Sequence, residues 1–196
     1  MGDFYQHPNA LIDDGASVGA GTRVWAFAHV VKGAVVGEDC NICDHTFIEG
    51  RVRIGNRVTV KCGVYLWEGI EVQDDVFIGP GAAFTNDLYP RSKRYPPEYL
   101  RTVLKRGCSI GANATILPGI TVGQWAIIGA GSVVTANVTA QTLVLGNPAR
   151  VKAWVCRCGN QLGRAQDGIL KCKCGNVFKL KAERQIEEMT NEPSIV

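Results

Sequence analysis

The chain has 196 residues, 46% of them hydrophobic and 20% charged, with a formal net charge of +3. A balance this near neutrality, with no long run of like charge, argues against a nucleic-acid arm. No apolar stretch approaches the roughly 20 residues a bilayer helix needs. The opening MGDFYQHP has neither a secretory core nor the Ser or Thr at position 6 that myristoylation requires. A cytoplasmic protein with no membrane and no nucleic-acid partner is therefore expected.

After a short cap containing Tyr5, His7 and Pro8, an apolar residue recurs every six positions: Ile12, Val18, Val24, Val30, Val36, Ile42, Ile48, Ile54, Val60, Leu66, Val72, Ile78 and Phe84. Four residues after most of these sits a small or β-branched side chain, such as Thr22, Ala28, Ala34, Cys40 or Thr46. A period of six drifts around a helix of 3.6 residues per turn, but it matches three short strands per coil of a parallel β-helix. The register returns at Ile110, Ile116, Val122, Ile128 and Val134. Eighteen hexads predict an all-β solenoid of about six coils across residues 1–152, each coil buried only by its neighbours.

Between the two runs the hexad is lost, and the 26 residues from Phe84 to Ile110 are not a multiple of six. Residues 85–107 are thus predicted to leave the coil as an extruded loop. Six basic residues (Arg91, Lys93, Arg94, Arg101, Lys105, Arg106) face only Asp87 and Glu98 there. A loop of this length in a compact solenoid is usually functional.

Gly146 and Pro148 end the repeat. Residues 153–180 then carry two CxCG knuckles, Cys156/Cys158 and Cys172/Cys174, 13 residues apart. Four thiolates with no nearby histidine read as a closed structural zinc site in a small ribbon-like module; the spacing is one residue shorter than CxxC, which leaves metal-free thiols as the alternative. Of the other four cysteines, Cys40 and Cys108 fall on core positions, and Cys43 and Cys62 read as buried or stray thiols. The tail, 181–196, is polar and is expected to form a short helix that frays.

Stacking the chain at 18 residues per coil places positions 29, 47, 65 and 83 above one another, and likewise 31, 49, 67 and 85. One edge then carries His29, Phe47 and Tyr65 beside Glu49 and Trp67, directed toward Asn86 and the basic loop. Phe47 and Trp67 alternatively pack a subunit interface.

The hexads, the single loop and the GNPAR sequence (Gly146 to Arg150) resemble the left-handed parallel β-helix of the hexapeptide-repeat acyltransferases over residues 10–152. The resemblance implies a homotrimer with acetyl-CoA in the groove between neighbouring prisms. A carbonic-anhydrase-like prism would need three histidines between subunits, and of His7, His29 and His45 the first lies outside the repeats. The segments VWAFAH, DHTFIEG, VKCGVYLWEGI and FTNDLYPRSK look like those of nucleotide-linked 3-amino-sugar N-acetyltransferases, nearest to the dTDP-3-amino-3,6-dideoxyhexose enzymes of surface polysaccharide synthesis. A UDP-3-amino-glucuronate substrate and a non-catalytic trimeric scaffold are the alternatives.

The family's O-acetyltransferases use a loop histidine to deprotonate a hydroxyl, and this loop has none. A neutral amine is already a nucleophile, so strong base catalysis is dispensable. Asn86 is expected to position the amine, a backbone N–H near Gly111 to hold the oxyanion, and the departing sulfur to take the proton. His29 is the remaining base candidate, or else a hydrogen-bonding partner of substrate or of Glu49. Glu49, Tyr65, Trp67, Asp87 and Tyr89 are expected to bind substrate, with Arg91, Lys93 and Arg94 on the diphosphate. Gly111, Ala112, Ala130 and Thr135 are expected along the pantetheine arm, and Arg150 and Lys152 at the CoA phosphates.

Overall fold

A computed structural model describes residues 3–181 and 185–189. Every element in it is a β-strand, most of them two residues long, and among the described residues no helix is long and apolar enough to cross a membrane. In the two-residue strands from Ser17–Val18 onward the hexad residue points in and its predecessor points out, as the pleat demands. Val24, Val30, Ile42, Ile48, Val60, Leu66 and Ile78 are fully buried in consequence. The small residues four positions on fill the corners of the same core: Thr22, Ala28, Ala34, Cys40 and Thr46 are all buried. The hydroxyls of Thr22 and Thr46 are satisfied by backbone partners. Thr22 Oγ1 donates to the Gly37 carbonyl (2.8 Å) and accepts from the Cys40 N–H (2.9 Å), while Thr46 Oγ1 donates to the Cys43 carbonyl (2.7 Å).

The coils stack in parallel register at intervals of 18 residues, giving a three-faced parallel β-helix. The first face is a nine-stranded sheet that begins at Tyr5–Gln6 and closes with Thr142–Leu145 and the antiparallel Arg150–Trp154. The third face has six strands, from Ser17–Val18 to Thr121–Val122. The second face is divided. Its lower sheet contains Leu11–Ile12, His29–Val30, Phe47–Ile48 and Tyr65–Leu66, and its upper sheet Ala83–Phe84, Thr115–Ile116 and Val133–Val134. The ladder is interrupted between Tyr65 and Ala83, at the level where the loop departs.

The loop is shorter than the sequence suggested. Thr102–Leu104 is a strand of the third face, paired with Ile70–Val72 below and with Thr121–Val122 above. Leu104 is fully buried and stands six residues before Ile110, so the hexad resumes one rung, a third of a coil, earlier than expected. Thirty-two residues separate Ala83 from its partner Thr115 instead of eighteen, so the excursion adds fourteen. Its return is fastened by the Thr102 N–H to the Gly69 carbonyl (2.9 Å), by Thr102 Oγ1 accepting from the Gly119 N–H (3.0 Å) and by an ion pair of Arg101 with Glu71. Gly69 has φ +94°, and a Cβ there would lie 2.9 Å from the Leu100 carbonyl oxygen, so glycine is what lets the loop close on the coil.

Beyond Trp154 a second, smaller core of Cys156, Leu162, Leu170, Cys172 and Phe178 supports an antiparallel sheet of Ile169–Lys171, Val177–Lys181 and Gln185–Met189. The expected tail helix is corrected by that last strand. Gln185–Met189 alternates exposed and half-buried side chains, a period-two pattern that suits a sheet edge. The rest of the tail expectation lies outside the described residues.

Candidate active site

The aromatic column forms as the 18-residue stacking requires. His29 pairs in register with Phe47, and Phe47 with Tyr65. The His29 and Phe47 rings meet edge to face at 5.5 Å, while Trp67 stands 5.6 Å from Phe47 and 5.8 Å from Tyr65. Phe27 and His45, not anticipated from sequence, stack at 4.9 Å beside them. Together with Thr46 these side chains line one open cleft, and Phe27 and Tyr65 remain 58% and 48% exposed. An apolar shelf this open is available to a flat ligand or to another protein surface.

His29 is bound to a partner that sequence reasoning missed. Its Nε2 lies 3.0 Å from Asp13 Oδ1, and Asp13 Oδ2 accepts the Lys32 N–H at 3.0 Å. The Lys32 N–H, and after it His29, hold the Asp13 carboxyl below its ordinary value. Glu49 does not reach His29. Its Oε2 accepts the Glu68 N–H at 2.6 Å, so Asp13 and Glu49 do the same task two coils apart, each taking the N–H nineteen residues on. That offset, read down the column 13–31–49–67, was the signal available in the sequence. Asn86 closes the arrangement, its Nδ2 donating to the Glu68 carbonyl at 3.4 Å.

The predicted catalytic pair is not brought together within one chain. His29 and the rung of Ala83, from which Asn86 follows, are separated by three interstrand spacings, about 14 Å at ~4.8 Å each. The Gly111 N–H is also unavailable as first placed, because it donates to the Ile128 carbonyl at 2.8 Å. Gly111 and Ala112 lie at the corner entering the upper second-face sheet, Ala130 sits one coil above Ala112, and Thr135 follows Val133–Val134 on the far edge. These four therefore bracket the sheet at whose rim Asn86 stands. Arg150 and Lys152 are exposed on the strand Arg150–Trp154.

The loop separates its cations into two kinds. Arg101 is paired with Glu71, and Arg106 with Asp75 at 2.9 Å, so both are anchors. Arg91, Lys93, Arg94 and Lys105 are exposed and, among the described residues, in no ion pair; Lys105 already stands on the returned coil, just past Thr102–Leu104. Arg91 and Arg94 line an open cleft with Asp87, Tyr89, Tyr95 and Pro96, in which Asp87 Oδ1 accepts the Tyr89 N–H at 2.9 Å. The four cysteines of the knuckles converge elsewhere, in the ribbon.

Known proteins resemble this chain. Residues 101–136 match the family model described as bacterial transferase hexapeptide (six repeats), which starts where the returning rung does. A dTDP-3-amino-3,6-dideoxy-α-D-galactopyranose 3-N-acetyltransferase from Aneurinibacillus thermoaerophilus is 49% identical over 175 residues, covering 89% of this chain and 90% of that protein. The chain belongs to the hexapeptide-repeat nucleotide-sugar N-acetyltransferases. A hexapeptide-repeat acetyltransferase of Vibrio cholerae, solved with acetyl coenzyme A, superposes with a TM-score of 0.52 at 27% identity, covering 71% of this chain and 70% of that one. The bifunctional protein GlmU of Shouchella clausii is 27% identical over 73% of this chain, which spans only 28% of that protein's length. In this chain Asn86 stands where the second-face ladder is interrupted, and Arg91, Lys93 and Arg94 follow it on the same loop.

Proposed function

We propose that the protein transfers acetyl from acetyl-CoA to the 3-amino group of a dTDP-3-amino-3,6-dideoxyhexose. The carrying observation is the trio Arg91, Lys93 and Arg94, exposed and in no ion pair among the described residues, on the loop that begins beside Asn86 and contains no histidine. A diphosphate is the dianion that such a trio selects, and an amine is the acceptor that needs no strong base.

In the reaction the neutral amine attacks the thioester carbonyl while Asn86 orients it. A backbone N–H beside Gly111 holds the oxyanion, with the Ala112 N–H replacing the occupied one. The C–S bond then breaks, and the proton shed by nitrogen goes to the CoA thiolate, leaving an amide and free CoA. Gly111, Ala112, Ala130 and Thr135 flank the pantetheine, and Arg150 and Lys152 meet the CoA phosphates. The separation of His29 from Asn86, and the exposed aromatics of the lower sheet, support a homotrimer in which a neighbour's edge completes each site.

Thiol release is the direct test. Incubation with acetyl-CoA and a dTDP-3-amino-3,6-dideoxyhexose should liberate CoA, with weaker release from UDP-3-amino-glucuronate. No thiol above background with any nucleotide-linked 3-amino sugar would sink the reading.

A further inference from the structure

The strongest unassigned feature lies outside the acetyl-transfer machinery, in the ribbon. All four sulfurs of Cys156, Cys158, Cys172 and Cys174 lie within 4.8 Å of one another, with Cys156 to Cys174 at 3.6 Å and Cys158 to Cys172 at 3.5 Å. A regular tetrahedron with metal–sulfur bonds of about 2.3 Å has sulfur–sulfur edges of about 3.8 Å. The fit is close, and it arises from two copies of one device. In Cys156-Arg157-Cys158-Gly159-Asn160 the Gly159 N–H donates to the Cys156 carbonyl (2.9 Å) and the Cys156 N–H to the Asn160 carbonyl (2.9 Å). In Cys172-Lys173-Cys174-Gly175-Asn176 the corresponding bonds are 3.1 and 2.8 Å. Glycine at φ +88° and +99° closes each turn, so a CxC spacing aims both thiols of a pair inward without the extra residue of a CxxC knuckle.

The surroundings are built for thiolates. Asn160 Nδ2 donates to Cys158 Sγ at 3.2 Å and Asn176 Nδ2 to Cys156 Sγ at 3.6 Å, outer contacts that spread sulfur charge and fix ligand orientation. The residue between each cysteine pair is a cation: Arg157, which pairs with Glu188 at 2.7 Å, and Lys173, whose charge opposes the net −2 of four thiolates around a divalent ion.

Energetics point the same way. Among the described residues the buried cluster of this unit has five members, two of them cysteines of the set of four, leaving Leu162, Leu170 and Phe178 as its apolar centre, with buried Val155 at the junction to the β-helix. A core of that size does not offset the chain entropy of some thirty residues without a cross-link or a metal.

We propose that these four cysteines bind one zinc ion as a closed structural centre, and that this ion holds the ribbon folded against the end of the β-helix. Zinc has no d-electron geometry to enforce, which suits an irregular tetrahedron, and four protein ligands leave no position for water or substrate. Binding releases the thiol protons to solvent. The consequence extends to the solenoid, because Arg150–Trp154 runs directly from the last coil into the first knuckle, and the Val155 N–H ties back to the Gln141 carbonyl at 2.8 Å. The proposal stands apart from the acetyl-transfer reading, since it is measured without substrate.

Full-length protein purified without chelator is expected to carry one zinc per chain by elemental analysis and native mass spectrometry. An organomercurial that titrates the thiols should release it. The double variant Cys158→Ser/Cys174→Ser, which alters the two exposed ligands, should fall below a tenth of a zinc per chain. Proteolysis of that full-length variant should cut within 157–181 while the β-helix stays resistant. Metal-free wild-type protein with a protease-resistant ribbon, Cys156–Cys174 or Cys158–Cys172 disulfides, or bound iron revealed by a visible thiolate charge-transfer band would each overturn the assignment.

Discussion

Asn86 and His29 face different ends of one aromatic column, and that separation sets the expected effect of removing each. Asn86→Ala should lower kcat by about a hundredfold or more, the usual loss when an oriented polar group is taken from a transition state. His29→Ala should cost less than about tenfold, since its ring is held by Asp13 and its rung lies about 14 Å from that of Ala83. Steady-state kinetics of the two variants checks this, and the reverse ranking would make His29 the base. Cys108 permits a second test. Burial pushes its thiol up to about 12 from an ordinary 9.0, so native protein keeps the proton where the unfolded chain loses it. Its contribution to stability is complete below pH 9 and is lost as pH rises toward 12. Denaturant melts across that window should show a steeper alkaline decline for wild type than for Cys108→Ala. The core position of Cys108 was legible from the hexad, whereas the Asp13–His29 contact needed the corner geometry, because nothing local in sequence joins residues sixteen apart.

At the scale of the element, two-residue strands cannot stand alone, and the coil depends on how closely its corners stack. A Cβ on Gly111 would lie 2.5 Å from the Ala130 backbone nitrogen, and one on Gly79 would lie 2.7 Å from that of Ala112. Gly111→Ala should therefore force two coils apart and cost about 2 kcal/mol or more, a fall of roughly 4–8 °C in Tm for a chain of this size. Thermal unfolding followed by circular dichroism checks this, and an unchanged Tm would mean the corner yields freely. The loop boundaries show where periodicity fails as a guide. Thr102–Leu104 reads as part of a basic, irregular segment, yet Leu104 is a rung, because pairing with Ile70–Val72 and Thr121–Val122 overrides local composition. The tail erred in the opposite direction: a polar stretch with helix-forming glutamates becomes the strand Gln185–Met189, because Val177–Lys181 offers it an open edge.

For the whole molecule, the exposed Leu11, Phe27 and Tyr65 make the lower β-helix apolar in a way an isolated chain has no use for. Sedimentation equilibrium should return a particle of three chains. A monomer that retained full activity would contradict a shared site. The ribbon is the second unit at this scale, with its own small core joined to the solenoid through Arg150–Trp154.

The sequence by itself determined the solenoid, its coil length, the presence of a loop and the convergence of two cysteine pairs, because each follows from a repeat or a spacing that the backbone must obey. Only the tertiary structure decided which carboxylate holds His29, which loop cations remain free, where the second-face ladder breaks and whether the Gly111 N–H is available. Those are contacts between coils, set by three-dimensional neighbours sixteen or more residues away, and no local pattern encodes which of several polar groups will reach first.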